Sequence, residues 1–247
     1  MKVTGIIPAR YASTRFPAKA LTLIKGKPMI QWVAERCLQS DLQQVVVATD
    51  HPEIFTTVKA LGIQVVMTSG NHPSGTDRCF EAMSQLTSKP DFIINIQGDE
   101  PLINPDQINL LIKNLDSDTQ IATLKKKILD EETLFNINTP KVVCDLNGKA
   151  LYFSRQTIPY IRGMEMKDWL NHFDYFKHIG IYAYRSDILA EITSLSPGNL
   201  EKAESLEQLR WLENGYSINV IETEHESIGI DVPEDLKKLD PFLHLLV

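Results

Sequence analysis

Three cations and two hydroxyls crowd the segment Pro8-Ala9-Arg10-Tyr11-Ala12-Ser13-Thr14-Arg15-Phe16-Pro17-Ala18-Lys19, directly after the apolar run Val3–Ile7. The backbone N–H groups of such a loop, with the side chains of Arg10, Arg15 and Lys19, suit a phosphate chain. The spaced glycines and Gly-Lys-Ser/Thr ending of a Walker loop are missing, and so is a GxGxxG fingerprint. The competing reading is a solvated basic loop. A second group is Gln97-Gly98-Asp99-Glu100-Pro101, where two adjacent carboxylates follow another apolar run. They suit Mg2+, which takes oxygen ligands and often bridges to substrate phosphates. A simple turn before a helix uses the same Gly, Asp and Pro. Asp231, just before Pro233, is either a further acidic ligand or a helix cap, and sequence alone favours the cap. Ser74-Gly75-Thr76-Asp77-Arg78 is open to two readings as well, an anion site at a helix N-terminus or an ordinary N-cap.

Arg155, His178, Glu207 and Gln208 are scattered through the second half, and nothing local separates them from surface or satisfied core groups. No His/Cys spacing fits zinc, so His51 is not a ligand candidate. Cys37, Cys79 and Cys144 lie far apart and suit a reducing compartment as small buried apolar residues. Among 247 residues, 32 acidic against 25 basic side chains give a formal charge of -7. That balance disfavours general nucleic-acid or anionic-membrane binding but leaves room for a local basic pocket. The N-terminal apolar run is too short for a signal peptide, and no stretch approaches spanning length, so a cytoplasmic protein is expected.

These groups must be positioned by regular elements, and the first half supplies them in alternation. Strands are predicted at Val3–Ile7, Val45–Thr49, Gln64–Thr68 and Phe92–Ile96. Between and after them, apolar residues at helical spacing mark helices carrying Ile30 to Leu38, Ile54 to Leu61, Cys79 to Leu86 and Ile108 to Leu115. Asp50-His51-Pro52-Glu53 looks like the cap of the second helix. Alternation of this kind predicts an α/β fold with a mostly parallel central sheet, whose ligands sit beyond the carboxyl ends of the strands. After residue 120 the pattern turns β-rich, with strands at Ile121–Ile128, Val142–Leu146, Leu151–Phe153 and Lys177–Tyr184, and a hairpin turn at Asn147-Gly148. Ile161–Phe173 looks irregular, a mobile flap or partner-binding arm. Helices at Ile188–Ile192 and Leu200–Glu213, a strand at Ile218–Glu222 and a closing helix from Pro233 complete the expectation. With no repeats or linkers, one domain with a smaller β-rich insertion is the economical organisation.

The segment Ile6 to Lys19, with Gly26-Lys27-Pro28-Met29-Ile30, resembles the opening of the 3-deoxy-manno-octulosonate (Kdo) cytidylyltransferases. The resemblance continues in order through Val47-Ala48-Thr49-Asp50-His51, Ser74 to Arg78, Asn95 to Pro101 and Ala150 to Arg155. It runs on through His178-Ile179-Gly180-Ile181-Tyr182, Leu206 to Arg210 and the Asp231 segment, covering nearly the whole chain.

The resemblance implies a Rossmann-like nucleotidyltransferase fold, a homodimer, and the Mg2+-dependent reaction of CTP with Kdo to CMP-Kdo and pyrophosphate, for lipopolysaccharide biosynthesis. Residues 1 to about 118 would then be the nucleotide-binding half, and about 119 to 247 the sugar-binding and dimerisation half of a single domain. Arg10 and Lys19 would hold the CTP phosphates, with Ser13 and Arg15 in the same loop, and Pro8, Ala9, Ala48, Thr49, Asp50, Ser74 and Arg78 would bind around the nucleotide. Gln97 would lie near the sugar and the ribose, with Asp99 and Asp231 on Mg2+. Arg155, His178, Tyr184, Glu207 and Gln208 would surround Kdo, with Arg155 meeting its carboxylate. Arg10, Lys19, Asp99 and Asp231 would carry the chemistry, chiefly by positioning and charge neutralisation. Neither nucleic acid nor membrane enters as a partner. Two departures stand in the first loop: Ala18 where the family usually has Gly, and Ala20 where it often has Pro. If position 18 requires a positive φ, alanine is strained there by about 1 kcal/mol or more. Other readings are the same chemistry on an 8-amino Kdo analogue or a sialic acid, a nucleotide-sugar-dependent glycosyltransferase, and a non-catalytic nucleotide-binding module.

Overall fold

Runs of branched apolar residues with no polar face can be strands only where both faces are covered, and the chain's first strand is such a run. In the computed structural model, which describes residues 1–12 and 15–246, strand β1 (Val3–Ala9) is buried along almost its whole length. A 3-10 turn at Lys19–Leu21 and a short hairpin, β2 (Leu23–Ile24) with β3 (Lys27–Pro28), lead into helix α1 (Met29–Cys37). Strict alternation follows: β4 (Gln44–Thr49), α2 (Pro52–Ala60), β5 (Gln64–Met67), α3 (Gly75–Ser84), β6 (Phe92–Asn95) and α4 (Pro105–Lys113). The second half contributes β7 (Ile121–Lys127), the short helix α5 (Glu131–Phe135), β8 (Lys141–Cys144) and β9 (Ala150–Ser154). It continues with β10 (Phe176–Arg185), α6 (Ser186–Ile192), α7 (Asn199–Glu204), α8 (Gln208–Glu213) and β11 (Ile218–Glu222).

Nine strands form one sheet, in the order β11-β7-β10-β6-β1-β4-β5, with β8 and β9 joined at the side of β10. Strands β5, β4, β1 and β6 are mutually parallel, and so are β11 and β7, while β10 runs antiparallel between the two groups. Helices α1, α2 and α4 cover one face through Ile30, Val33, Ile54, Val58, Ile108 and Leu111. Helices α3, α6 and α8 cover the other through Cys79, Ala82, Ile188, Leu189, Leu209 and Trp211. From β1 the chain steps outward to β4 and β5, then returns to the opposite side of β1 at β6. The order therefore reverses between β1 and β6, where an open α/β sheet leaves a crevice beyond its carboxyl ends.

Several local expectations change. The α2 cap is His51, whose Nδ1 accepts from Glu53 N at 3.3 Å, because Asp50 is committed elsewhere. Leu200–Glu213 is two helices, broken where Ser205 takes a left-handed φ of 51°. The closing segment Pro233–Leu245 is 3-10 rather than α-helical, with Pro241 inside it. Ile161–Phe173 is no free flap: it holds a 3-10 turn at Met166–Asn171 whose Trp169 is buried with Ile128, Leu134 and Tyr175. Cys37 and Cys79 are buried as expected, and Cys144 is half-buried.

Candidate functional site

A cavity of about 350 Å3 opens at the predicted crevice, between the loops that follow β1 and β6. The two loops approach so closely that a Cβ on Gly98 would sit 2.6 Å from Pro8 O, so glycine is required there. One wall is made by Pro8, Ala9, Arg10, Arg15 and Lys19, and the facing one by Gln97, Gly98, Asp99 and Asp231. Ala20, His72, Pro73, Ser74, Gly75 and Arg78 supply the rest.

Lys19 is the centre of the charged group. Its Nζ lies 2.5 Å from Asp99 Oδ2 and 3.7 Å from Asp231 Oδ1, with the side chain largely buried. Arg15 Nη2 reaches the same Asp231 oxygen at 3.2 Å from a more exposed position. The backbone secures this arrangement, because Ile230 N–H donates to Asp99 O at 3.0 Å and so ties the Asp231 segment to the β6 loop. Asp231 is not the cap favoured by sequence alone. Asp235 Oδ2 accepts the N–H groups of Asp231 and Val232, which leaves the Asp231 carboxylate to face Lys19 and Arg15. Lys19 itself follows Ala18, whose φ of 56° and ψ of 22° are left-handed. The positive φ suspected at position 18 is therefore present, and alanine occupies it.

Two carboxylates around one ammonium are also an oxygen donor set suited to a divalent cation. No cluster of three His, Cys, Asp or Glu side chains able to hold a metal occurs among the described residues. Asp99 and Asp231 are thus a pair that would depend on substrate phosphates and water for the remaining ligands.

Arg78 lies deeper. It is 3% exposed, and Nη1 donates to Thr68 Oγ1 at 2.6 Å while Nη2 donates to Asp50 Oδ2 at 3.0 Å. Asp50 also accepts Tyr11 N–H at 3.2 Å, so the pair fixes the start of the first loop. Ala48, Thr49 and Asp50 were expected around the nucleotide; none of them lines the cavity, Ala48 and Thr49 are buried, and Asp50 reaches the wall only through Arg78. Ser74 serves as the N-cap of α3, accepting from Asp77 N at 3.2 Å, and also lines the cavity. Ser13 lies outside the described residues.

The expected sugar residues are only partly gathered. Gln97 lines the cavity and donates to Gly180 O at 3.0 Å, which links it to β10. Beyond it, His178, Tyr182 and Tyr184 form a chain of ring contacts at 5.2 and 5.8 Å. His178 Nε2 is 3.0 Å from Thr123 Oγ1, whose single proton is taken up by the Ile179 and Ile181 carbonyls. The imidazole must therefore donate through Nε2, and burial keeps it neutral by lowering its pKa to about 3. Glu207 accepts from Thr76 Oγ1 at 2.7 Å, and burial pushes its carboxyl up. Tyr184 and Gln208 are buried. None of His178, Tyr184, Glu207 or Gln208 lines the cavity directly.

Arg155 departs furthest from expectation. Its Nε donates to Glu204 O at 2.6 Å, Nη1 to Ile137 O and Nη2 to Ser205 O, so the guanidinium staples two backbone segments together outside the cavity. A substrate carboxylate would have to displace those bonds. Sequence reasoning passed over His72 on the cavity wall, a single histidine in a polar loop with no motif to flag it. It also passed over Asn95 Oδ1 and Tyr182 OH, which are buried without a partner among the described residues and sit opposite each other on β6 and β10. An orphaned polar pair has no sequence signal, because it is defined by what surrounds it.

Residues 4–224 match the family model described as cytidylyltransferase. The 3-deoxy-manno-octulosonate cytidylyltransferase of Cytophaga hutchinsonii is 58% identical, over 97% of this chain and 96% of its own length. That of Parabacteroides distasonis is 56% identical over 98% of each. Among solved structures, CMP:2-keto-3-deoxy-manno-octonic acid synthetase complexed with CTP superposes with a TM-score of 0.91 at 41% identity, covering 100% of both chains. The inositol-1-phosphate CTP transferase of T. maritima, at 14% identity and a TM-score of 0.70, shares the fold.

Proposed function

The chain belongs to the 3-deoxy-manno-octulosonate cytidylyltransferases, and from that membership and the cavity we propose how it joins CTP to Kdo with release of pyrophosphate. The observation that carries the mechanism is Lys19 set between Asp99 and Asp231 at the carboxyl ends of β1 and β6. The anomeric hydroxyl of Kdo loses its proton to solvent as its oxygen attacks the α-phosphorus, and pyrophosphate leaves in line with it. Negative charge grows on the α-phosphoryl oxygens and on the leaving group, so the protein's task is to place cations there and hold both reactants still.

Lys19 is held largely buried on the cavity wall, where it can meet the α-phosphoryl group. Arg10 and Arg15, both exposed on the same loop, neutralise the outer phosphates. Asp99 and Asp231 would hold Mg2+, which when bound neutralises phosphate charge and lowers the pKa of the attacking hydroxyl. Gln97, anchored to Gly180 O, orients the ribose and the incoming sugar where the nucleotide-binding half meets the sugar-binding half. His178 takes part as a neutral imidazole. The half-buried Glu207 acts through Thr76 and the α3 N-terminus. Arg155 is assigned to holding the wall, since its guanidinium is engaged with three carbonyls.

The same reading makes the protein a cytoplasmic homodimer that supplies an activated sugar for lipopolysaccharide biosynthesis. No described helix is long and apolar enough to cross a membrane. Support for the dimer comes from Leu129, Phe135, Ile137, Tyr160, Met166 and Phe173, all exposed on the β-rich part that carries the Trp169 cluster. Light scattering should give twice the chain mass, and a monomer would remove this element.

The acceptor is tested by pyrophosphate release with CTP and Mg2+ in the presence of Kdo, its 8-amino analogue or a sialic acid, with ATP, GTP and UTP as controls. Release should require CTP and be fastest with Kdo. Preference for the amino analogue would move the substrate, and no release from any pair would defeat the reading.

A further inference from the structure

His72 has no part in the chemistry above, yet it lies on the cavity wall, on the loop between β5 and α3. Its side chain is mostly buried, and Nε2 faces Oε2 of Glu81 on α3. Glu81 is itself fixed: the same oxygen accepts Ser69 N–H at 2.8 Å, and Gln85 Nε2 donates to Oε1 at 3.4 Å. The Ser69 N–H, followed by His72, holds the Glu81 carboxyl below its ordinary range. An ionised carboxylate can only accept, so Nε2 of His72 must carry the proton. In the neutral ring Nδ1 is then a lone-pair acceptor, and among the described residues it has no partner.

The cavity is also chemically divided. Lys19, Arg15, Asp99 and Asp231 form one bonded group of charges. The wall from His72 to Arg78 is separate, and its cation is already neutralised by Asp50. A triphosphate belongs with the first group, and an uncharged heterocycle belongs against the second.

We propose that His72, with its tautomer set by Glu81, reads the nucleobase of the substrate. Nδ1 accepts from the exocyclic amine of cytosine, whereas the oxygen at that position in uracil would oppose lone pair to lone pair. Glu81 is a positioning residue, acting through the ring it orients. This selectivity rests on the CTP-dependent reading of the cavity.

The test compares CTP with UTP at about pH 8, above the ordinary range of imidazole titration. Turnover with saturating Kdo, and calorimetric binding of each nucleotide without acceptor, are measured for the wild-type protein, His72→Ala and Glu81→Gln. A glutamine can donate as well as accept, so it no longer dictates the tautomer. His72→Ala should lower the CTP-to-UTP ratio about tenfold or more, the usual effect of losing one discriminating buried hydrogen bond. Glu81→Gln should lower it less, with the fold retained by circular dichroism. An unchanged ratio in both variants would overturn the proposal, including the case in which both nucleotides weaken equally, as a purely structural role predicts. Wild-type protein that binds CTP over UTP but releases no pyrophosphate with Kdo would defeat the proposed function and leave the base-reading role standing on its calorimetric arm.

Discussion

The two alanines that flank Lys19 should respond to glycine with opposite signs. Ala18 sits at φ 56°, and its conformation is pinned by two backbone bonds: its N–H to Tyr11 O at 3.0 Å and its carbonyl from Leu21 N–H at 2.8 Å. Holding an L-residue in this region costs about 1–2 kcal/mol. Glycine removes that strain but loses about 0.5–1 kcal/mol more backbone entropy on folding. A half-buried methyl worth about 0.4 kcal/mol is also forfeited, so Ala18→Gly should stabilise by about 0.1–0.6 kcal/mol. Ala20 has ordinary φ and is 6% exposed. There glycine gives up a buried methyl worth about 0.8 kcal/mol and pays the same entropy, a loss of about 1.5 kcal/mol. Urea unfolding at equilibrium measures both, and the two variants should differ by about 2 kcal/mol. Ala18→Gly as destabilised as Ala20→Gly would show that position 18 is not left-handed, and the loop geometry around Lys19 would fall with it.

Four other outcomes follow from the same structure. Lys141 is fully buried and donates to the carbonyls of Asn136, Thr139 and Arg155 at 2.8–2.9 Å. Lys141→Met strands those oxygens and should cost about 2–4 kcal/mol in urea unfolding, after allowing for the charge no longer buried; a neutral result would show water replacing the ammonium. Burial, then the Asp99 charge beside it, pushes the Glu100 carboxyl up to about 7 from an ordinary 4.5. Its folded form therefore holds a proton that the unfolded chain releases, so this group's contribution is fully present below pH 4.5 and is lost as pH rises through about 7. Glu100→Gln should accordingly gain on wild type above pH 7 in chemical denaturation and lose that gain towards pH 4.5, and a pH-independent difference would contradict the assignment. Asp99→Asn should cut turnover by about 100-fold or more, and Lys19→Met should lower kcat at saturating CTP. A Lys19→Met defect confined to KM would remove its role in the transition state.

What the sequence made legible was local. Polar residues placed directly after apolar strands marked the loops beyond β1 and β6, because in a parallel sheet those ends are where ligands lie. The positive φ at position 18 was legible too, as a glycine position filled by alanine. What escaped depended on partners distant in sequence. Asp50 looked like a cap until Arg78, 28 residues on, claimed its carboxylate. Asp231 looked like a cap because Asp235, four residues later, offers the same carboxylate and takes that task. Arg155 carried the charge expected of a carboxylate partner, but three carbonyls from the 137 and 204–205 segments occupy it. Ser205 interrupts a run whose apolar spacing continues across it, so periodicity could not show the break.

The fate of the α-phosphorus tests the central claim most directly. Protein incubated with Mg2+, Kdo and CTP labelled at that atom should transfer the label into a CMP-linked sugar, in step with pyrophosphate and only when Kdo is present. Label recovered as free CMP, or pyrophosphate released without a labelled sugar, would contradict attack by the sugar hydroxyl in the Lys19–Asp99–Asp231 cavity.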